Sequence, residues 1–489
     1  MRADRAAAVA ALLAACAGAG AEPLALTPCR LKGVEHEAQC GHIERALDPA
    51  RPDGVKLEIH FAVLPALARR KAADPVFFFA GGPGQGAIDL TGALSHRYAR
   101  MSNRHDLVFI DQRGTGRSAP LKCPDDDERA PPRRLAELVD NARQVPALFD
   151  CLAALQKLPH GDLRQYTTTI AMADIDAVRA ALGFERIDAI GASYGTRAVL
   201  EYMRQFPQQV RRAVLDGVAP ADMVLPASAS PDNQAALDAL FASCAADGGC
   251  ARRFPALAGQ WKALLASLPR DAVVAHPLTG QDEHITVTRE LVLSAVRTPL
   301  YLPTLAAVLP AAIAAGAHGR FGPLLALSTA LLGRGAGGFA SGMHFSVVCA
   351  EDWPRLAQSS DAPGADFGAS FAANYRQLCA RWPRGTPPAA FYTLGAAPVA
   401  TLVFSGGLDP VTPPRHGARV AQALGTKARH VVIPNAGHGV LGMACLRDAL
   451  LRFIDAEDDE AALKVDTDCA AAVPRPPAFA GIEDAEARP

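Results

Sequence analysis

Short, wholly apolar runs recur along this chain, each followed by a stretch with helical spacing, and that alternation constrains the fold more than any other feature. PVFFFA (75–80) and DLVFID (106–111) are continuous apolar runs, as expected of strands covered on both faces. KLEIHFAVL (56–64) reads as a further strand. MADIDAVRAALG (172–183) places Ile175, Val178 and Leu182 on one helical side and stops at Gly183. RIDAIG (186–191) is the next strand, TRAVLEYMRQF (196–206) a helix closed by Pro207, and VRRAVLDGV (210–218) another strand. Strand, helix, strand, helix, strand is the signature of a parallel α/β sheet. From about 220 to 395 the alternation gives way to alanine, proline and helical periodicity with no clear buried strand, which reads as a helical insertion. It resumes with VATLVFSG (399–406), RHGARVAQALG (415–425), ARHVVIPN (428–435) and MACLRDALLRFI (443–454). Residues 23–56 read as turn-rich, and the acidic, proline-rich end from about 474 as a tail lying loosely on the surface.

With 49 basic against 50 acidic side chains, the net charge of −1 gives no electrostatic reason to expect nucleic acid or an anionic membrane surface. The apolar stretch 301–318 is interrupted by Pro303 and Pro310 and reads as broken helices, not a membrane span. Residues 1–22 follow the plan of an export signal: arginines, an uncharged apolar run, then small residues. LAAC (13–16) is similar to the lipobox that leads to acylation at Cys16, and cleavage after Ala19 or Ala21 is the alternative. The expected location is therefore periplasmic or extracellular, with contact to a membrane only through such an anchor. Of 11 cysteines, setting Cys16 aside leaves an even number, which suits disulfides in an oxidising compartment. Neighbours in sequence can pair as Cys29–Cys40, Cys123–Cys151, Cys244–Cys250, Cys349–Cys379 and Cys445–Cys469, although spacing alone does not fix connectivity. No C-x-x-C pair and no H-E-x-x-H occurs, so zinc is a poor account of the cysteines, and no metal or cofactor is expected.

GASYG (191–195) puts Ser193 between two glycines where a strand meets a helix. A sharp turn there exposes a nucleophile, and the helix N-terminus favours negative charge forming beside it. Ser370 in GASFA (368–372) lacks both the second glycine and a preceding strand. Serine needs a base to take its proton, and the base needs an orienting acid. In sheets of this kind the chain order is serine, acid, histidine. Asp409 follows the strand 399–406 and His438 follows the strand 428–435, both at carboxyl ends of strands, where open α/β sheets place their sites. The Tyr194 N–H is one expected oxyanion donor, and the other comes from GGPGQG (81–86), at Gly81 or Gly82. Pro83 and the misplaced third glycine argue against a dinucleotide loop there.

AGGPG (80–84), DQRGTGRS (111–118), GASYGT (191–196), GGLDPVTP (406–413) and AGHG (436–439) together resemble the α/β-hydrolase exopeptidases, the proline iminopeptidases and tripeptidyl aminopeptidases. The resemblance runs from about 57 to 470, and Ala80, where proline iminopeptidases have His, points to the tripeptidyl branch. It implies an α/β-hydrolase fold, a mostly parallel doubly wound sheet with an inserted helical cap. The core would span 23–219 and 396–473, the cap 220–395 and a tail 474–489. The implied activity is hydrolysis of peptides from a free N-terminus, with Ser193, Asp409 and His438 as the triad and Asp111 and Arg113 as scaffold. SVVCAEDWP (346–354) is similar to a cap-side stretch of the tripeptidyl group, which makes Glu351 and Asp352 candidates for binding the substrate α-amine. The same triad serves carboxylesterases and lipases, which stand as the alternative. Oligomeric state is not legible here.

Overall fold

Five central strands, each nearly or wholly buried, explain the apolar runs. The computed structural model describes residues 24–126, 132, 134, 135, 141–329 and 338–479, so the segment read as an export signal, with Cys16, lies outside the described residues. The strands are β1 (Thr27–Cys29), β2 (Ala38–Ala46), β3 (Lys56–Leu64), β4 (Val76–Phe79), β5 (Leu107–Ile110), β6 (Ile187–Ala192), β7 (Val210–Asp216), β8 (Arg270–Ala275), β9 (Asp282–Val287), β10 (Thr401–Gly406) and β11 (Ala428–Ile433). Nine of them form one sheet in the order β1-β2-β3-β5-β4-β6-β7-β10-β11. Pairing is parallel from β5 across to β11 and antiparallel among β1, β2, β3 and β5.

Alternation within each strand divides the core between the two faces. Phe77 and Phe79 of β4, Val108 and Ile110 of β5 and Leu215 of β7 join one cluster. Val76 and Phe78, Leu107 and Phe109, and Val214 join the other. The helix Thr168–Ala181 begins where the Thr167 side chain accepts the Ile170 N–H, and it covers the first face with the helix Tyr194–Gln205.

Between β7 and β10 lie mostly helices, but also the antiparallel hairpin β8–β9, which the sequence pattern does not reveal. Its residues are largely exposed, so it carries no buried apolar run. This stretch is not one body in its packing. Residues around Trp261, from Ala236 to Leu325, build a separate cluster together with Leu135. Met343, Val347, Tyr375 and Trp382 instead pack into the cluster beneath the sheet. Two further expectations change. The region 23–56 contributes β1 and β2 to the sheet, and the described part of the tail is docked: Arg475 donates to the Ala239 carbonyl and the Phe479 N–H to that of Ala307. All five sequence-neighbour cysteine pairs are disulfides. Among the described residues no helix is long and apolar enough to cross a membrane.

Candidate active site

Ser193 leaves β6 at φ 56° and ψ −126°, a conformation that non-glycine residues rarely adopt. Its N–H donates to the Asp216 carbonyl (2.8 Å), and the Thr196 hydroxyl donates to the Ser193 carbonyl (2.6 Å), so neighbouring backbone and side chain pin the turn. The flanking glycines are needed for close approach. A Cβ on Gly195 would run into the Phe79 carbonyl, and one on Gly191 into the Gly195 carbonyl. Ser370, by contrast, opens a helix between β7 and β10 with no strand before it.

Asp409 and His438 stand after the neighbouring strands β10 and β11 and meet at 2.8 Å, His438 Nδ1 to Asp409 Oδ2. Asp409 is buried and saturated: Oδ1 accepts the N–H groups of Val411 and Thr412 (both 2.9 Å), and Oδ2 accepts the Thr412 hydroxyl (2.7 Å). Burial alone would raise its pKa, but the His438 charge and hydrogen bond, with those of Thr412, hold it below the ordinary carboxylate value. Burial would likewise lower the His438 pKa, but Asp409, with Asp216 behind it, raises it above the ordinary histidine value. The loop carrying His438 is fixed from two directions. Its own N–H donates to the Tyr301 carbonyl (2.9 Å), with the Tyr301 ring edge-on to the imidazole at 5.3 Å. Both Asp216 carboxylate oxygens accept the Val440 N–H, and one also accepts that of Leu441.

A cavity of about 610 Å³ is lined by Ser193, Tyr194, Gly81, Gly82 and His438 on the sheet side and by Tyr301, Phe339 and Tyr375 from the segment between β7 and β10. Gly81 sits against Ser193: a Cβ there would come within 3.3 Å of the Ser193 Cβ. The Asp111 carboxylate accepts the N–H groups of Ile88 and Arg117 (both 2.9 Å), which ties the loop after β5 to the loop after β4. Arg113, fully buried, pairs with Asp174 (2.6 and 3.0 Å). Around Ser193, no group of described His, Cys, Asp or Glu side chains has metal-ligand spacing.

Glu351 and Asp352 are buried one layer behind this cavity, and neither lines it. Both are held by Arg197, which does line it. Asp352 takes a two-pronged share (3.0 and 3.1 Å) and Glu351 a single contact (3.2 Å). Asp352 Oδ1 also accepts the Leu225 N–H (3.0 Å), and the other Glu351 oxygen accepts the Thr168 N–H (2.7 Å). A direct contact with a substrate amine, as expected from the resemblance, would require displacing Arg197. Two participants were not singled out from sequence, Thr412 and Tyr301. Thr412 had a signal, since a threonine three residues after an aspartate in a loop is a common side-chain cap. Tyr301 had none, because its contact is made across the fold.

Residues 74–246 match the alpha/beta hydrolase fold family, and residues 364–469 match the family described as TAP-like protein. The chain is 27% identical over 439 residues to the serine protease Hip1 of Mycobacterium tuberculosis, covering 82% of this chain and 83% of that one. It is 29% identical over 193 residues to a tripeptidyl aminopeptidase of Streptomyces lividans, covering 37% of this chain and 35% of the relative. A crystal structure of a proline iminopeptidase from Mycobacterium smegmatis aligns at 14% identity and a TM-score of 0.35, over 87% of this chain and 100% of that one, a likeness too loose to carry argument. The peptidase names of the sequence relatives agree with the two family matches, which fall on the segment bearing Ser193 and on the one bearing Asp409 and His438. The chain is a hydrolase of the α/β-hydrolase fold, and it is similar in sequence to relatives named as a serine protease and a tripeptidyl aminopeptidase.

Proposed function

We propose that this chain is an exported serine exopeptidase that releases residues from peptides with a free N-terminus through an acyl-enzyme. The observation that carries the reading is the 2.8 Å hydrogen bond from His438 to a saturated, buried Asp409, beside the cavity that Ser193 also lines. In this mechanism the Ser193 hydroxyl attacks the scissile carbonyl and its proton passes to His438 Nε2. Asp409 holds the imidazole tautomer and stabilises the imidazolium. Negative charge on the carbonyl oxygen falls to the N–H of Tyr194 and of Gly81 or Gly82, each such donor being worth about 3–4 kcal/mol. His438 then protonates the leaving amine, and water repeats the sequence to release the acyl product. The five disulfides support export, since such bonds persist in oxidising compartments.

Selectivity for a free N-terminus would come from the cap side. Two carboxylates face one guanidinium at Arg197, and because burial pushes the Glu351 pKa up to about 7, the wall behind the cavity carries excess negative charge toward a charged α-amine only as pH rises past that value. Glu351 and Asp352 act in this reading by their field and by setting Arg197, not by contact. The test compares free-amine peptides, their N-acetylated forms and short-chain esters on wild type and Ser193→Ala. The expected result is that acetylation lowers peptide cleavage by about 100-fold, as for loss of a buried charge interaction, and that Ser193→Ala abolishes all three activities. Equal cleavage of acetylated and free peptides would replace this reading with a carboxylesterase-like or endopeptidase activity. Full activity of Ser193→Ala would remove the mechanism altogether.

A further inference from the structure

The solvent face of β2 and β3 carries a cluster that the catalytic reading does not use. The antiparallel register sets His42 opposite His60 and Glu44 opposite Glu58. Side chains two apart on a strand share a face, so these four lie on one side of the pair. Glu58 reaches both imidazoles: its Oε2 lies 3.1 Å from His60 Nε2 and its Oε1 3.8 Å from His42 Nε2. The two imidazole rings are 5.3 Å apart. One ligand atom from each of His42, Glu58 and His60 can be chosen so that all lie within 4.8 Å of one another.

We propose that His42, Glu58 and His60 form a surface site for a divalent transition-metal ion of the zinc class. Two imidazoles and a carboxylate are borderline donors, suited to zinc and its neighbours and not to calcium or magnesium, which prefer all-oxygen sets. Bonds of 2.0–2.2 Å in a tetrahedron put ligand atoms about 3.3–3.6 Å apart. The present spacings bracket that value, so closure takes only side-chain rotation on a backbone already fixed by register. His60 is the most constrained ligand, with its N–H donating to the Ser118 hydroxyl (2.9 Å) and its carbonyl accepting the Asp111 N–H (3.0 Å). Like charges directly opposite on paired strands repel, as Glu44 and Glu58 do here, and a cation offsets that repulsion. His42 and Glu58 are each about half exposed (51% and 55%), which leaves the remaining coordination positions to water or to Glu44.

The experiment is calorimetric titration of the untagged, full-length protein with Zn²⁺, alongside His42→Ala, His60→Ala and the double variant, and thermal unfolding with and without the ion. The site predicts one tightest-binding ion per chain and a raised Tm on its addition. Each single substitution should weaken that binding by about tenfold or more, and the double variant should abolish both the binding and the Tm gain. No measurable Zn²⁺ binding by wild type, or wild-type affinity in the double variant, overturns the proposal. Because the readouts are binding and unfolding, their failure leaves the peptidase reading untouched.

Discussion

At the scale of single residues, the candidate site rests on how Asp409 is held. Its two oxygens accept four hydrogen bonds from Val411, Thr412 and His438, so the carboxylate stays ionised and fixed in place. In the proposed mechanism His438 is the general base, which must be neutral to accept a proton, and its pKa lies above the ordinary histidine value. The rate should therefore fall as pH drops, with an acid limb in kcat/KM above about pH 6.5. Asp409→Asn removes the charge that raises the pKa. It should move that limb to lower pH and cut kcat by about ten-thousand-fold, as loss of the correct tautomer does elsewhere. A pH–rate profile of both proteins checks this, and an unchanged limb in the variant would mean that another group titrates. Ser193, Asp409 and His438 were legible because each falls in a short loop directly after an apolar run. Glu351 and Asp352 stood out only by resemblance. Their partner Arg197 is 154 and 155 positions away, a distance at which spacing carries no information.

Among the elements, the helix Tyr194–Gln205 does two things at once, aiming its N-terminus at Ser193 and anchoring Arg197 against the helix Ser341–Glu351. The guanidinium also donates to the Ala219, Pro220 and Met223 carbonyls, so it has no freedom left. Asp352 holds the stronger share of it. Burial, with the Asp352 charge adding, pushes the Glu351 pKa up to about 7 against the pull of Arg197 and the Thr168 N–H. A carboxyl whose pKa is higher folded than unfolded stabilises most below its unfolded value, and that contribution is lost as pH rises through about 7. Glu351→Gln should thus flatten the dependence of unfolding free energy on pH between about 4.5 and 7, which denaturant titrations at several pH values would measure. Asp352→Ala should instead cost about 3–5 kcal/mol, because it leaves a buried guanidinium short of its main partner. Helices and both-face-buried strands such as β4 and β5 were legible from apolar spacing alone. β2, β8 and β9 were not, since each turns one polar side to solvent and has no continuous apolar run.

For the whole molecule, the question is whether the segment between β7 and β10 moves as a lid or stands as part of the body. Its later part, with Trp353 and Trp382, packs into the cluster beneath the sheet, while Trp261 belongs to the separate cluster. No disulfide among the described residues joins that separate cluster to the sheet, so their union rests on packing and polar bridges. The most buried bridge is Asp232 on the helix Leu225–Ala246, which accepts from Arg415 (2.6 Å) and bonds His416 (2.9 Å) at the start of the helix Pro414–Leu424. Asp232 and His416 are both nearly inaccessible, so pulling the elements apart would break a buried hydrogen bond and expose apolar surface. Unfolding should therefore be cooperative across both clusters. The three tryptophans provide the probe, because replacing Trp353 and Trp382 by Phe leaves fluorescence that reports only the Trp261 cluster. In that background, fluorescence and far-UV circular dichroism should give coincident denaturant transitions. Adding Asp232→Ala should separate them, with the Trp261 signal lost at lower denaturant. If the two probes already diverge before Asp232 is changed, the Trp261 cluster unfolds on its own, and the segment is a lid whose opening also releases the Tyr301 contacts that fix His438.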